Sequence, residues 1–190
     1  MQWLIAGLVL FLGVHSLAIV APAARDRFAA RLGAGPWQML YALIALAGFA
    51  LIVHGYALAR QAPVVLYVPP AWARHVALLL MLPVFPLLLA AYLPGRIRST
   101  LKHPMLAGTK AWALAHLLAN GTLAAVILFG SVLAWAVADR ISLKRRAPRA
   151  IRAAPAGAWN DWIAVVVGLA LYVLFVKVLH VALIGVSPLG

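Results

Sequence analysis

The stretch MLAGTKAWALAHLLANGTLAAVILFGSVLAWAVA, residues 105–138, decides how the chain is threaded. Read as one helix, it carries the two basic segments that flank it to opposite sides of a membrane. The first, Arg96 to Lys110, overlaps its start and holds Arg96, Arg98, Lys102 and Lys110; the other holds Arg140, Lys144, Arg145, Arg146, Arg149 and Arg152. Lys and Arg collect in cytoplasmic loops, so one of the two would sit on the wrong side. Asn120-Gly121 is a strong turn dipeptide, and a break there removes the conflict. A short helix then rises to the turn, and a longer one, about Thr122 to Ala138, returns.

A membrane is the only setting in which this reading makes sense, and composition supplies it. Of 190 residues, 66% are hydrophobic and 10% charged, with a mean hydropathy of +1.03. Soluble domains are about 45–50% apolar and about 25% charged. The long apolar runs therefore read as spans, each needing about 20 residues to cross the hydrocarbon core. The chain predicts a single integral membrane domain over residues 1–190, all-α and polytopic. Its net charge of +13 comes from 16 Lys and Arg against Asp26, Asp139 and Asp161. Nearly all of that charge lies between apolar runs, which the positive-inside rule explains without nucleic acid. There is no cysteine, so disulfides, thiolate metal sites, Cys-ligated haem and palmitoylation are excluded together.

Outward from the central hairpin, the first span is Gln2 to Val20. It lacks a basic leader, and Ala21-Pro22-Ala23-Ala24 only loosely resembles a cleavage site, so it reads as an uncleaved helix followed by Arg25, Arg27 and Arg31. The second runs from about Pro36 to Leu58, and the third from about Trp72 to Leu93 with a kink at Pro83 and Pro86. Pro94 to Pro104 is a basic, helix-breaking connection, and the last span is about Trp162 to Val186. The sum is six crossings, including the short hairpin at Asn120-Gly121, with both termini outside and the basic loops cytoplasmic. The ascending helix of that hairpin is short enough to stop below the outer surface, which is allowed if protein satisfies its turn.

Ionisable groups within spans point to function, because each is costly unless paired or solvated. His15 lies mid-helix in the first span. His116 lies in the short helix, with Trp112 and Asn120 one turn to either side on the same face. His54, His75 and His180 fall near span ends, His103 beside Pro104, and Lys177 one turn before His180. The ordinary role of a lone intramembrane histidine is a helix–helix hydrogen bond. His15 and His116 stand apart because both are deep in apolar sequence and on different helices, as a pair of axial haem ligands requires. For Lys177 the default is snorkelling, with neutralisation of an acidic group such as a haem propionate as the other reading. Trp37, Trp72, Trp135, Trp159 and Trp162 fall near span ends, where an interfacial belt explains them. Paired carboxylates, a phosphate loop, H-E-x-x-H and G-x-S-x-G are all absent.

The segment Lys102-His103-Pro104 through Gly108, Trp112, Ala115-His116-Leu117 and Asn120-Gly121, with Val14-His15-Ser16 in the first helix, resembles the NnrU family over nearly the whole chain. That family is associated with bacterial nitrite and nitric oxide reduction. It is similar to the 15-cis-zeta-carotene isomerases, integral membrane proteins that use haem b. The resemblance implies haem b held by His15 and His116 as axial iron ligands; His103, Trp112, Asn120 and Lys177 are kept beside them as candidates for a supporting role. His103-Pro104 also resembles the Arg-His-Pro element of membrane isoprenylcysteine methyltransferases. Here Lys102 replaces the Arg, and Arg140 to Arg146 stands where those enzymes carry an acidic pair.

Three functions remain as alternatives. The first is a haem-b membrane protein that isomerises a cis double bond of a carotenoid-like, lipid-soluble polyene. The second is a non-enzymatic haem protein, an electron carrier, sensor or chaperone supporting nitrite or nitric oxide reduction. The third is a methyltransferase-like protein or scaffold. In each the setting is the bilayer of the bacterial inner membrane, with no nucleic-acid partner.

Overall fold

The computed structural model describes residues 1–146 and 153–190. Ala- and Leu-rich runs form the helices, and several of the breaks fall at Pro or Gly, which punctuate helices. Helix α1 (Gln2–Val20) ends at Ala21, and Pro22 opens α2 (Pro22–Leu32), where its missing N–H costs nothing. The first basic loop is thus itself helical. Gly33, with φ of 85°, closes α2 and starts α3 (Ala34–Ala59). The kinked third span is α4 (Ala71–Met81) and α5 (Val84–Ala90), parted at Pro83. A short α6 (Arg96–Leu101) occupies the basic connection. The chain breaks at Asn120-Gly121, as expected, between α7 (Pro104–Ala119) and α8 (Leu123–Ser142). The last span is α9 (Asn160–Leu174), a π-helical turn (Phe175–Leu179) and α10 (His180–Ile184).

Among the described residues, five segments are long and apolar enough to cross a bilayer: Gln2–Val20, Ala34–Ala59, Ala71–Ala90, Leu123–Ser142 and Asn160–Ile184. The protein is an all-α, multi-pass membrane bundle. At 16 residues α7 is the short member, about 24 Å long at 1.5 Å per residue against a core of about 30 Å. The helix α8 runs to Ser142 rather than Ala138, drawing Asp139 and Arg140 into its last turns. Of the basic residues expected in the loop after it, Arg149 and Arg152 lie outside the described residues.

The contacts divide the chain into two compact units, Met1–Tyr67 with Gly121–Arg145, and Val68–Asn120 with Arg146–Gly190. In the first, α1 lies along α3 through glycines. A Cβ on Gly7 would fall 2.5 Å from the backbone N of Ile52, and one on Gly48 would fall 2.7 Å from that of Phe11. Gly55 is pressed against the backbone of Leu4, which is fully buried. Close backbone approach of this kind is how helices gain packing energy in lipid, where no hydrophobic difference drives them together. The helix α8 packs on α1, capped by Thr122, whose Oγ1 accepts from Ala125 N–H at 3.3 Å. The extended segment 64–67 covers the start of α8. Leu66 and Tyr67 N–H donate to the Gly121 carbonyl at 2.8 and 3.1 Å, and Leu123 N–H donates to Val64 O at 2.8 Å. A side chain on Gly121 would collide with the Tyr67 carbonyl, so only glycine fits.

In the second unit, α7 packs on α4 and α5, and α9 packs on α5. Gly168 of α9 abuts the Pro86 ring, where a Cβ would stand 2.5 Å from the ring nitrogen. Tyr172 donates its hydroxyl to Leu78 O at 3.0 Å, just over one turn before the Pro83 break.

Gly48→Val should cost about 1–3 kcal/mol or more through overpacking, whereas Gly13→Ala, with nothing within 4 Å of its Cβ, should be neutral or stabilising by about 0.5–1 kcal/mol. Thermal unfolding in mild detergent checks both. Equal effects at the two positions would contradict a glycine-mediated α1–α3 interface.

Candidate functional site

A histidine ring nitrogen that faces a backbone carbonyl must carry the proton, because the carbonyl can only accept. His15 sits on α1 in the first unit, and its Nδ1–H donates to Phe11 O, one turn back, at 2.6 Å. The lone pair of the neutral ring is therefore on Nε2. The imidazole lies against the Phe11 ring at 4.3 Å, with Tyr41 edge-on at 5.2 Å and Trp135 edge-on at 5.8 Å and 87°. Trp135 is not the interfacial residue its place in the sequence suggests. Its indole Nε1 is buried and has no hydrogen-bond partner. Trp37 departs from the belt too. It is buried, with the Arg25 guanidinium 5.5 Å over its ring and Arg25 paired to Asp26 at 2.8 Å. Trp72, Trp159 and Trp162 are exposed, as a belt would have them.

His116 sits on α7 in the second unit and repeats the arrangement of His15. Its Nδ1–H donates to Trp112 O at 2.8 Å, and the Trp112 ring lies 5.0 Å away. Asn120 Nδ2 donates to His116 O at 2.9 Å, at the end of the helix. Trp112, His116 and Asn120 thus form one ladder along α7, as their four-residue spacing predicts.

The other candidates are placed differently. His103 flanks the start of α7 without capping it through its side chain, and Pro104 at the first helical position is buried. The residue before His103, Lys102, has φ of 61°. His75 is exposed, and His54 is exposed with Trp3 edge-on at 6.4 Å. His180 donates from Nδ1 to Val186 O at 2.6 Å at the end of the last span. Lys177 is exposed within the π-helical turn. Among the described residues, no group of three or more His, Cys, Asp or Glu converges on one point.

Each of these histidines, taken within its own unit, offers an imidazole of the kind an iron porphyrin asks of a protein. Histidines that ligate metals usually donate their other N–H to a carbonyl or carboxylate, which fixes the tautomer and the ring. His15 and His116 each have that bond, and the orphaned Trp135 N–H beside His15 is a buried donor that an acceptor-bearing ligand would satisfy.

Sequence reasoning misses two residues that hold the basic connection in place. Asn160 is buried and donates from Nδ2 to Pro94 O at 2.8 Å and Pro155 O at 3.0 Å. Asp161 accepts from Arg96 N–H at 2.7 Å and Ile97 N–H at 3.1 Å, capping α6 from another helix. Gly95 leaves room for that carboxylate. The available signal is Asn-Asp directly before an apolar run, a helix-start signature, although it does not reveal the second helix.

The family model described as NnrU protein matches residues 3–188, and the chain belongs to that family. No curated protein and no solved structure matches it.

Asp161→Ala removes the carboxylate that bonds the first N–H groups of α6, and should cost about 0.5–2 kcal/mol. Asp161→Asn, which keeps an acceptor, should cost less. Thermal unfolding measures both; an unchanged midpoint in Asp161→Ala would show that the basic connection is held elsewhere.

Proposed function

We propose, from membership of the NnrU family, that this protein binds haem b in the membrane through His15 and His116. The activity this reading supports best is cis–trans isomerisation of a lipid-soluble, carotenoid-like polyene. The observation that carries the haem site is the shared geometry of the two histidines, and the isomerase reading rests on the resemblance of the family alone. Each has Nδ1–H tied to the carbonyl one turn back and Nε2 as its basic nitrogen, the state in which imidazole binds iron. The bound iron would supply a Lewis acid able to withdraw double-bond character from a polyene. The chain's own residues do the rest. Phe11 and Trp112 hold the imidazole planes by ring contact, Asn120 ties down the end of α7, and apolar helices admit a substrate from the bilayer.

The same ligands would serve an electron carrier, sensor or chaperone for nitrite or nitric oxide reduction. Incubating the reduced protein with a cis-polyene separates the two: isomerisation selects the enzyme, and haem without turnover selects the carrier. Purified from haem-replete cells, the wild type should show a Soret band and sharp, split visible bands on reduction. The His15→Ala/His116→Ala double variant should lose haem by about ten-fold or more, in line with loss of direct ligands. Either single His→Gly variant should recover its spectrum with added imidazole. A wild-type protein that stays colourless with added haem, or a double variant with undiminished haem, would overturn the proposal.

The basic connections belong on the cytoplasmic side of a bacterial inner membrane in this reading, because their Lys and Arg excess sets orientation. The cysteine-free chain makes that simple to check. An impermeant maleimide should label Gln61→Cys in intact spheroplasts, and Ser99→Cys only after the membrane is opened. The reverse pattern would invert the topology.

A further inference from the structure

The first unit holds a buried hydrogen-bond donor with no partner among the described residues. It is the indole Nε1 of Trp135 on α8, whose ring stands edge-on to His15 with centroids 5.8 Å apart and planes at 87°. A donor removed from water and left unmatched destabilises the fold by the whole cost of its desolvation. Phenylalanine would fill most of the same space without that cost. A tryptophan with a dry, unbonded N–H therefore marks a place where an acceptor arrives from outside the chain.

The surroundings narrow the choice of acceptor. Phe11 lies 4.3 Å from the imidazole and Tyr41 5.2 Å from it, so the group that brings the acceptor must tolerate aromatic walls. His15 lies five residues before the end of α1 at Val20, and Trp135 seven before the end of α8 at Ser142. These are about 8 and about 10 Å of helix. Both ends lead into basic sequence, Arg25, Arg27 and Arg31 after α1 and Lys144 and Arg145 after α8. Tyr41 feels the positive field of Arg25 more strongly than the negative field of Asp139. Asp139, one turn beyond Trp135, has an interaction of its own. The unmatched N–H thus sits where the field favours an anion, and an anionic acceptor also makes the stronger bond.

We propose that Trp135 is a haem-binding residue whose indole N–H donates to a propionate carboxylate, a role that rests on His15 binding haem. Haem b carries free acceptors only in its two propionates; the rest of its rim is methyl and vinyl. A hydrocarbon polyene brings no acceptor at all. A small ligand on the iron would occupy the face away from His15, whereas Trp135 is in ring contact with His15. The bond also orients the cofactor, with its carboxylates toward the basic ends of α1 and α8 and its vinyl edge toward the bilayer core. Every residue in this contact belongs to the first unit.

The test titrates the full-length protein, purified in mild detergent from haem-depleted cells, with two iron porphyrins. One is haem b; the other is iron octaethylporphyrin, whose rim carries ethyl groups and no carboxylate. Trp135→Phe should weaken haem b about ten-fold, the scale of one hydrogen bond to a charged group, and move iron octaethylporphyrin by less than about two-fold. His15→Ala should weaken both porphyrins alike, because the ligand it removes serves either. Without porphyrin, Trp135→Phe should unfold at the same temperature as the wild type or higher, since the unmatched donor is gone. Equal loss of both porphyrins in Trp135→Phe would make the ring a packing residue and overturn the proposal. So would undiminished haem b binding, or a porphyrin-free variant less stable than the wild type, which would mean that the N–H is already bonded within the chain. A wild type that takes up neither porphyrin would instead strike the haem reading itself.

Discussion

Inside a bilayer no water is present to complete a backbone hydrogen bond, so every interruption of a helix must be satisfied by the protein itself. This chain interrupts its helices repeatedly, and its polar residues sit where the interruptions are. At the Asn120-Gly121 break, Gly121 O receives two N–H groups from Leu66 and Tyr67, Leu123 N–H reaches Val64 O, and Thr122 caps α8. Near the Pro83 break, the Tyr172 hydroxyl adds a donor to the Leu78 carbonyl. At Pro94-Gly95, Asn160 and Asp161 supply both a donor and an acceptor. A buried polar atom left unmatched against this background is conspicuous, which is why the Trp135 indole N–H matters.

The same constraint explains how each unit is packed. Once helices satisfy themselves, what remains to join them in lipid is close van der Waals contact, and small residues permit it. Gly7, Gly48 and Gly55 let α1 and α3 touch backbone to backbone, with Gly48 and Gly55 two turns apart on one face of α3. Gly168 lets α9 close on the Pro86 ring. That contact puts proline and glycine to complementary use: the prolines bend the third span, and the glycine fits the shape left by the bend.

Much of this is legible in the sequence because it rests on local chemistry. The length and hydropathy of the runs mark the spans, Pro83 marks one break, and the Asn120-Gly121 dipeptide, together with the charge conflict, marks the other, between α7 and α8. The features that escape a sequence reading depend on partners distant along the chain. Nothing near Asp161 says that its carboxylate caps Arg96 and Ile97, more than sixty residues earlier. Trp135 and Trp37 read as belt residues because sequence position gives depth but not direction, and both turn inward. The helical form of the Arg25–Arg31 segment is hidden by its charges, although Pro22 and Gly33 bracket it with a start and a stop. The π turn has no composition signal at all.

The candidate histidines show how far a short spacing rule can carry. Phe11 precedes His15 by four residues and Trp112 precedes His116 by four. In an α-helix that spacing stacks the two side chains and brings the carbonyl of the first beneath the ring of the second. One helical turn thus sets the plane of the imidazole and its tautomer together, with the aromatic ring fixing the first and the carbonyl the second. His180 marks the boundary of the rule. Its aromatic neighbour Phe175 lies five residues back, across the π turn, with the ring 6.0 Å away and edge-on. Its Nδ1–H turns instead to Val186 O, beyond the helix end. A helix-held imidazole is fixed by the rigidity of its span, whereas His180 depends on how the chain leaves the helix. That difference in anchorage, more than depth alone, separates His15 and His116 from the other histidines as candidate iron ligands.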